Sequence, residues 1–265
     1  MGAWQPFTGG GIAAFANAST TRTILVQGIA AGLVGAVFVG SLSTAWFPVV
    51  ERGIQALPSQ AAIRSGTLHW PDSQARRLAE NPALEWVVRP APTRAQAHDP
   101  LGQSSDLRIE LRRSAFRVQG PLGHVEQPYP SHWDVPLGRI PAMAAWQSWK
   151  PYLRLGVGFA VACLLMACWW LMAAAYSVPA WMVGHLFGKR PSLGQAWRLS
   201  SASLLMGAVV GAAGVAAYAH GLIRIPGLLA SQAIHVPVPW LWLLWGILSM
   251  DRGGRSSGGS RKQRS

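Results

Sequence analysis

Apolar and polar positions divide this chain into long uncharged runs around one polar middle. Ile24 to Phe47, Leu155 to Ala175 and Ser200 to Ala219 are each apolar for about 20 residues, the length needed to cross a hydrocarbon core of about 30 Å. The pattern predicts transmembrane helices at 24–47, 155–175 and 200–219. A fourth is expected at 234–250. There Pro237 and Pro239 precede a Trp- and Leu-rich run too short to cross alone, so residues 226–250 read as one kinked span or as a half-inserted segment, the kinked span being favoured.

Between the first two runs, residues 48–150 have the size of one small domain. Leu107-Arg108-Ile109-Glu110-Leu111-Arg112 alternates apolar and charged side chains, which predicts a strand with one buried and one wet face. Phe116 and Val118 continue the alternation after a turn, so a hairpin is expected. Thr67–Trp70 and Leu84–Arg89 read as further strands. Val49, Val50, Ile54 and Leu57 have helical spacing, and a helix capped by Asp72 is expected to run to Glu80. Residues 90–103 read as a loop, and the proline-rich 120–141 as an irregular strap. The expected fold class is membrane α-helical, with about four transmembrane helices, plus a small α+β extracytoplasmic domain with an antiparallel sheet of three or four strands.

Composition sharpens this picture. Charged residues are only 12% of the chain, against about a quarter in soluble domains. The net charge is +13, but the middle is only mildly basic, with 12 basic and 9 acidic residues between Pro48 and Lys150. Nucleic acid is therefore not an expected partner; the lipid bilayer is. Lys189, Arg190 and Arg198 lie in a short loop and five basic residues follow Met250, and such residues favour the cytoplasmic side. Both termini are then cytoplasmic and residues 48–150 extracytoplasmic, in a multi-pass protein of the inner (plasma) membrane. The remaining segments are a cytoplasmic 1–23, flexible or interfacial up to Ser19, a membrane domain over 151–250 and a basic, disordered tail at 251–265. Trp146, Trp149, Lys150, Tyr152 and Arg154 have the character of an interface belt, as do His220 and Arg224. Cys163 and Cys168, five residues apart on a helix, point in different directions and form no pair.

Little in the sequence suggests catalysis. No nucleophile–base motif, metalloprotease motif or phosphate loop occurs, and no acidic or basic residue sits at the centre of an apolar run. No catalytic or cofactor-binding residue and no cofactor is assigned, and the chain is not expected to be an enzyme. His124, Glu126, His132 and Asp134 are the one cluster of metal-ligand types; a polar strap is the favoured reading and a Zn²⁺ or Mn²⁺ site the lesser one. Gly28, Gly32, Ala36 and Gly40 recur every four residues, a pattern that lets helices approach closely. Packing against the chain's own later spans is the first expectation, a homo-oligomer the second.

Gly188-Lys189-Arg190-Pro191, followed by Gln195-Ala196-Trp197-Arg198-Leu199-Ser200, resembles an element of Yip-type membrane proteins and related uncharacterised bacterial families. The resemblance covers residues 176–200. It implies an integral membrane protein and carries no catalytic residue with it. The function expected is that of a non-enzymatic binding or scaffold protein whose 48–150 domain engages an envelope partner. A small transporter or channel subunit is the alternative, and a metal-dependent enzyme using the His124–Asp134 cluster a lesser one.

Overall fold

The structure is a computed structural model that describes residues 6–90, 102, 104–234 and 236–250. Most of the expected 90–103 loop and the whole 251–265 tail lie outside the described residues. The helices are α1 (Gly9–Phe15), α2 (Thr20–Ser41), α3 (Phe47–Gln55), α4 (Arg139–Leu186), α5 (Leu193–Ala219), α6 (Ile225–Ile234) and α7 (Pro237–Leu248). A π turn, Leu42–Trp46, joins α2 to α3. The strands are β1 (Ala62–Arg64), β2 (Thr67–His69), β3 (Arg76–Glu80), β4 (Leu84–Arg89), β5 (Leu107–Arg112), β6 (Ala115–Gly120), β7 (Gly123–Pro128) and β8 (Asp134–Pro136).

Four helical stretches are long and apolar enough to cross a membrane: Thr20–Gln55, Arg139–Leu186, Leu193–Ala219 and Ile225–Leu248. The first two exceed the expected 24–47 and 155–175 because flanking residues continue the helix beyond the apolar run. The fourth consists of two helices. Pro237 opens α7, where its fixed φ and missing N–H cost no helix bond.

The chain divides into two compact units. One comprises residues 1–35, 159–213 and 230–265, and its described elements are all helices. Ile12 and Phe15 of α1 are buried with Ala196 and Leu199 of α5 and Leu243 and Ile247 of α7. Residues 9–15 are therefore a packed helix, which corrects the flexible one of the two readings expected for this segment. Thr8 caps it by accepting from the Gly11 amide. A Cβ on Gly246 would stand 2.5 Å from Ile12 Cγ2, so glycine is what lets α1 and α7 meet.

A second cluster joins Ala31 of α2, Trp169 and Ala173 of α4, and Leu204, Leu205 and Ala208 of α5. Gln27 ties the same three helices. Its Oε1 accepts from Trp170 Nε1 at 3.2 Å, and its Nε2 donates to the Ser201 carbonyl at 3.4 Å. The buried stripe of α2 is Thr23, Gln27, Ala31 and Gly35. The expected stripe, Gly28, Gly32, Ala36 and Gly40, is exposed, and Cβ atoms on its three glycines would meet nothing within 4 Å. Packing of that stripe against the chain's own spans is thus corrected.

The Gly188–Ser200 element is a helix–turn–helix. Gly188 takes a left-handed φ of +69°. Ser192 and Gln195 exchange reciprocal amide-to-side-chain bonds at 2.8 and 3.2 Å, a capping box that starts α5. Arg198 donates twice to the Ala16 carbonyl, at 3.0 and 2.8 Å, holding the end of α1.

The other unit comprises residues 36–158 and 214–229. It contains a three-stranded sheet, β2-β1-β8, and a five-stranded sheet, β3-β4-β5-β6-β7. The larger sheet is mixed: β4 and β5 are parallel and the remaining pairs antiparallel, whereas a wholly antiparallel sheet was expected. The expected helix from Asp72 to Glu80 is instead a turn followed by β3. The Asp72 carboxylate accepts from the Gln74 amide, an Asx-type turn. Leu78 alone then reaches the core, at a bulge in the β3–β4 ladder. The irregular strap expected over 120–141 contains β7 and β8. Its prolines fall in a turn (Pro121), at strand ends (Pro128, Pro136), in the following loop (Pro130) and in the first turn of α4 (Pro141).

One face of the five-stranded sheet packs on α3. Ile54 and Leu57 are buried with Leu78, Val88 and Tyr129, and Trp86, Leu111 and Phe116 join them. Glu51 of α3 accepts from Lys150 Nζ at 2.5 Å and from Trp146 Nε1 at 3.0 Å. Trp146 meets Phe47 edge-on, with centroids 5.1 Å apart, and Arg154 lies over the same ring. The expected interface belt therefore also clips α3 to α4, while Trp149 and Tyr152 remain exposed. Arg224, one of the expected interface residues, also donates to Asp106 Oδ1 at 3.1 Å. In the turn between β3 and β4, Asn81 accepts from the Ala83 and Leu84 amides and donates to the Ala45 carbonyl of the π turn.

Candidate functional site

The register of the five-stranded sheet sorts its side chains into two faces. Glu85, Arg108, Glu110, Arg117 and Glu126 share one; Trp86, Ile109, Val118 and Val125 share the other. The charged face forms a ladder of ion pairs. Arg77 bridges Glu80 at 2.8 Å and Glu85 at 3.3 Å, and Glu85 accepts from Arg108 at 2.5 Å. Glu110 meets Arg89 at 3.1 Å and Arg112 at 3.0 Å, and Glu126 meets Arg117 at 2.6 Å.

The strict alternation in β5 predicted that this face would be wet. Instead Glu85, Arg108 and Glu110 are buried. Their polar atoms are met from above: the Ser104 hydroxyl donates to Glu80 and Glu85, and the Gly102 carbonyl accepts from Arg77 and Arg108. Charges withdrawn from water in this way persist only when each has such partners.

Toward β7 the sheet opens. All six residues of β7 are exposed, and among the described residues its only strand partner is β6. Val118 is 36% exposed, Val125 71% and Leu122, in the turn, 93%. The apolar row Trp86–Ile109–Val118–Val125 thus starts in the core and ends uncovered at the sheet edge. An edge strand presents unpaired amides and carbonyls, and proteins ordinarily shorten or cover it.

Glu126 is the acidic group on this edge. The Arg117 guanidinium holds its carboxyl below the ordinary carboxylate range, with Arg112 and His124 adding weaker attraction. A depressed folded-state pKa contributes stability above the ordinary carboxylate value and loses it as pH falls through the folded value. The thermal midpoint of wild type is expected to exceed that of Glu126→Gln at neutral pH. That gap closes as the buffer is acidified through the folded pKa; a gap independent of pH would show that the pair contributes nothing.

The other sequence-derived candidates separate. His124 and Glu126 lie on β7, His132 in the turn after it, and Asp134 on β8 of the smaller sheet. Among the described residues no three His, Cys, Asp or Glu side chains gather to hold a metal. An apolar slot of about 270 Å³ lies between α3 and α4, lined by Ile54, Leu57, Trp86, Leu111 and Trp149. An open cleft of about 690 Å³ runs past His69, Trp70, Asp72 and Arg113. Sequence reading missed β7, which it placed in an irregular strap. The available signal was the run Gly123-His124-Val125-Glu126-Gln127, following a two-residue turn. The chain matches no protein-family model, no curated protein and no solved structure.

Proposed function

We propose that this chain is a multi-pass integral membrane protein that acts by binding, holding a sheet module at the extracytoplasmic face to engage an envelope protein partner. The four apolar stretches support the membrane reading. Large apolar side chains along them are exposed, among them Leu33, Leu155, Phe159 and Leu171. Lys189 and Arg190 in the short α4–α5 turn, with Arg198 in the second turn of α5, support the orientation. The likeness to Yip-type proteins agrees with an integral membrane protein and adds no activity.

The observation that carries the binding reading is β7: a six-residue strand whose residues are all exposed and whose only strand partner among the described residues is β6. Such an edge takes an added strand through main-chain hydrogen bonds, with alternate side chains supplying specificity. A photo-crosslinking amino acid at position 125 in intact cells is expected to give discrete adducts. His124→Pro removes one amide from the free edge, where proline is tolerated, and is expected to cut the adducts at least fivefold without altering protease resistance. Undiminished adducts in that variant would refute docking along this edge.

A further inference from the structure

The strand that β7 accepts is identified by its own sequence and register. Pro121 and Leu122 form a two-residue turn, so Gly120 and Gly123 face each other as the hydrogen-bonded pair next to it. Alternation then makes Val118–Val125 and Phe116–Gln127 hydrogen-bonded pairs, and Gln119–His124 and Arg117–Glu126 non-bonded ones. His124 and Glu126 therefore direct their amides and carbonyls outward. Pro128 also falls at an outward position, where its missing amide costs no ladder bond.

Resting on the binding reading above, we infer that the occupant of this edge is β7 of a second copy of the chain, paired antiparallel about a two-fold axis through Val125. In that register His124 faces Glu126 of the second copy, and Glu126 faces its His124. Their outward amides and carbonyls make four reciprocal hydrogen bonds. Val125 faces Val125 as a non-bonded pair, and the apolar row Trp86–Ile109–Val118–Val125 continues into its own mirror sequence. An axis through Glu126 would oppose two carboxylates, and like charges directly opposite are unfavourable. An axis through Val125 avoids that clash and sets each outward His124 opposite an outward Glu126. A two-fold contact of this kind is isologous and closes at two copies.

The register makes a geometric prediction. Non-bonded partners across an antiparallel pair have Cα atoms about 4.5 Å apart, within disulfide range. Positions 124 and 124, or 126 and 126, are offset along the strands to about 8 Å, beyond that range. The full chain carrying Cys163→Ala and Cys168→Ala is oxidised in native membranes with a copper catalyst. Val125→Cys is expected to give a disulfide-linked dimer at least tenfold more abundant than that from His124→Cys or Glu126→Cys alone. Co-expressed, the last two cross-link to each other. In mild detergent the parent chain is expected to have the mass of two copies by light scattering, and His124→Pro the mass of one.

No dimer from Val125→Cys, or equal yields at all three positions, overturns the self-pairing. The photo-adducts at position 125 then separate the two readings. An adduct with a different protein leaves the binding edge intact and replaces the second copy by that partner. The absence of any adduct removes the binding reading as well.

Discussion

Glu85→Ala is expected to unfold the sheet module. Glu85 is fully buried, and its removal takes from the guanidinium of Arg108, itself 1% exposed, the carboxylate it meets at 2.5 Å. Breaking one side of a buried ion pair costs about 3–5 kcal/mol, because the remaining charge stays desolvated. A small domain has only about 5–15 kcal/mol in total, so the loss is a large share. The Ser104 and Arg77 contacts to Glu85 are lost with it, which adds to the cost. Limited proteolysis of the full chain in detergent, across a urea series, checks the effect as cleavage between residues 56 and 138 at a lower midpoint. The double change Glu85→Leu with Arg108→Met removes both charges and is expected to recover most of the lost stability. A loss below about 1 kcal/mol for Glu85→Ala would mean the ladder is solvated and does not hold the sheet.

Gly53→Val is the second large effect. Gly53 lies on α3 where that helix crosses Trp86 of β4. A Cβ there would stand 2.1 Å from Trp86 Cε3 and 2.7 Å from Cζ3. The indole cannot retreat freely, because it packs in the cluster around Ile54 and Val88. Overpacking of this kind costs about 1–3 kcal/mol, and more where the backbone must shift. Thermal unfolding followed by Trp fluorescence is expected to show a lower midpoint. Trp86→Leu in the same chain is expected to relieve part of it. Gly32→Ala is the control: its Cβ enters open space, and replacing a mid-helix glycine gains up to about 1 kcal/mol. Equal midpoints for Gly53→Val and wild type would show that α3 does not sit on Trp86.

Both positions show how far a sequence of this kind can be read. The apolar runs declare themselves by length alone, and four long helices follow. The β5–β6 hairpin is legible because Leu107 to Arg112 alternates strictly and Phe116 and Val118 resume after a short turn. The parallel β4–β5 pair was missed, although the signal exists. Seventeen residues separate Arg89 from Leu107, more than a hairpin needs and enough for the crossover that parallel strands require. That crossover brings Gly102 and Ser104 over the charged face, which is why an alternating strand is buried on both sides. Alternation reports two chemically different faces; it does not report what lies on either. The small-residue stripe failed in a similar way. Its four-residue spacing marks a face of α2 but not an occupant, and the buried face is the neighbouring one, centred on Gln27 and Ala31. The candidate site was the least legible. An edge strand has the same local pattern as an interior one, and β7 is distinguished only by having, among the described residues, no strand on its outer side.

The π turn at Leu42–Trp46 acquires a role in this light. A wider turn takes up one more residue than a regular α-turn and disturbs the run of main-chain bonds along the helix. The Ala45 carbonyl receives the Asn81 side-chain amide from the β3–β4 turn. The extra residue offsets the helical phase of α3 from that of the residues before the turn, and α3 is indexed to the sheet it packs on, with Gly53 turned toward Trp86.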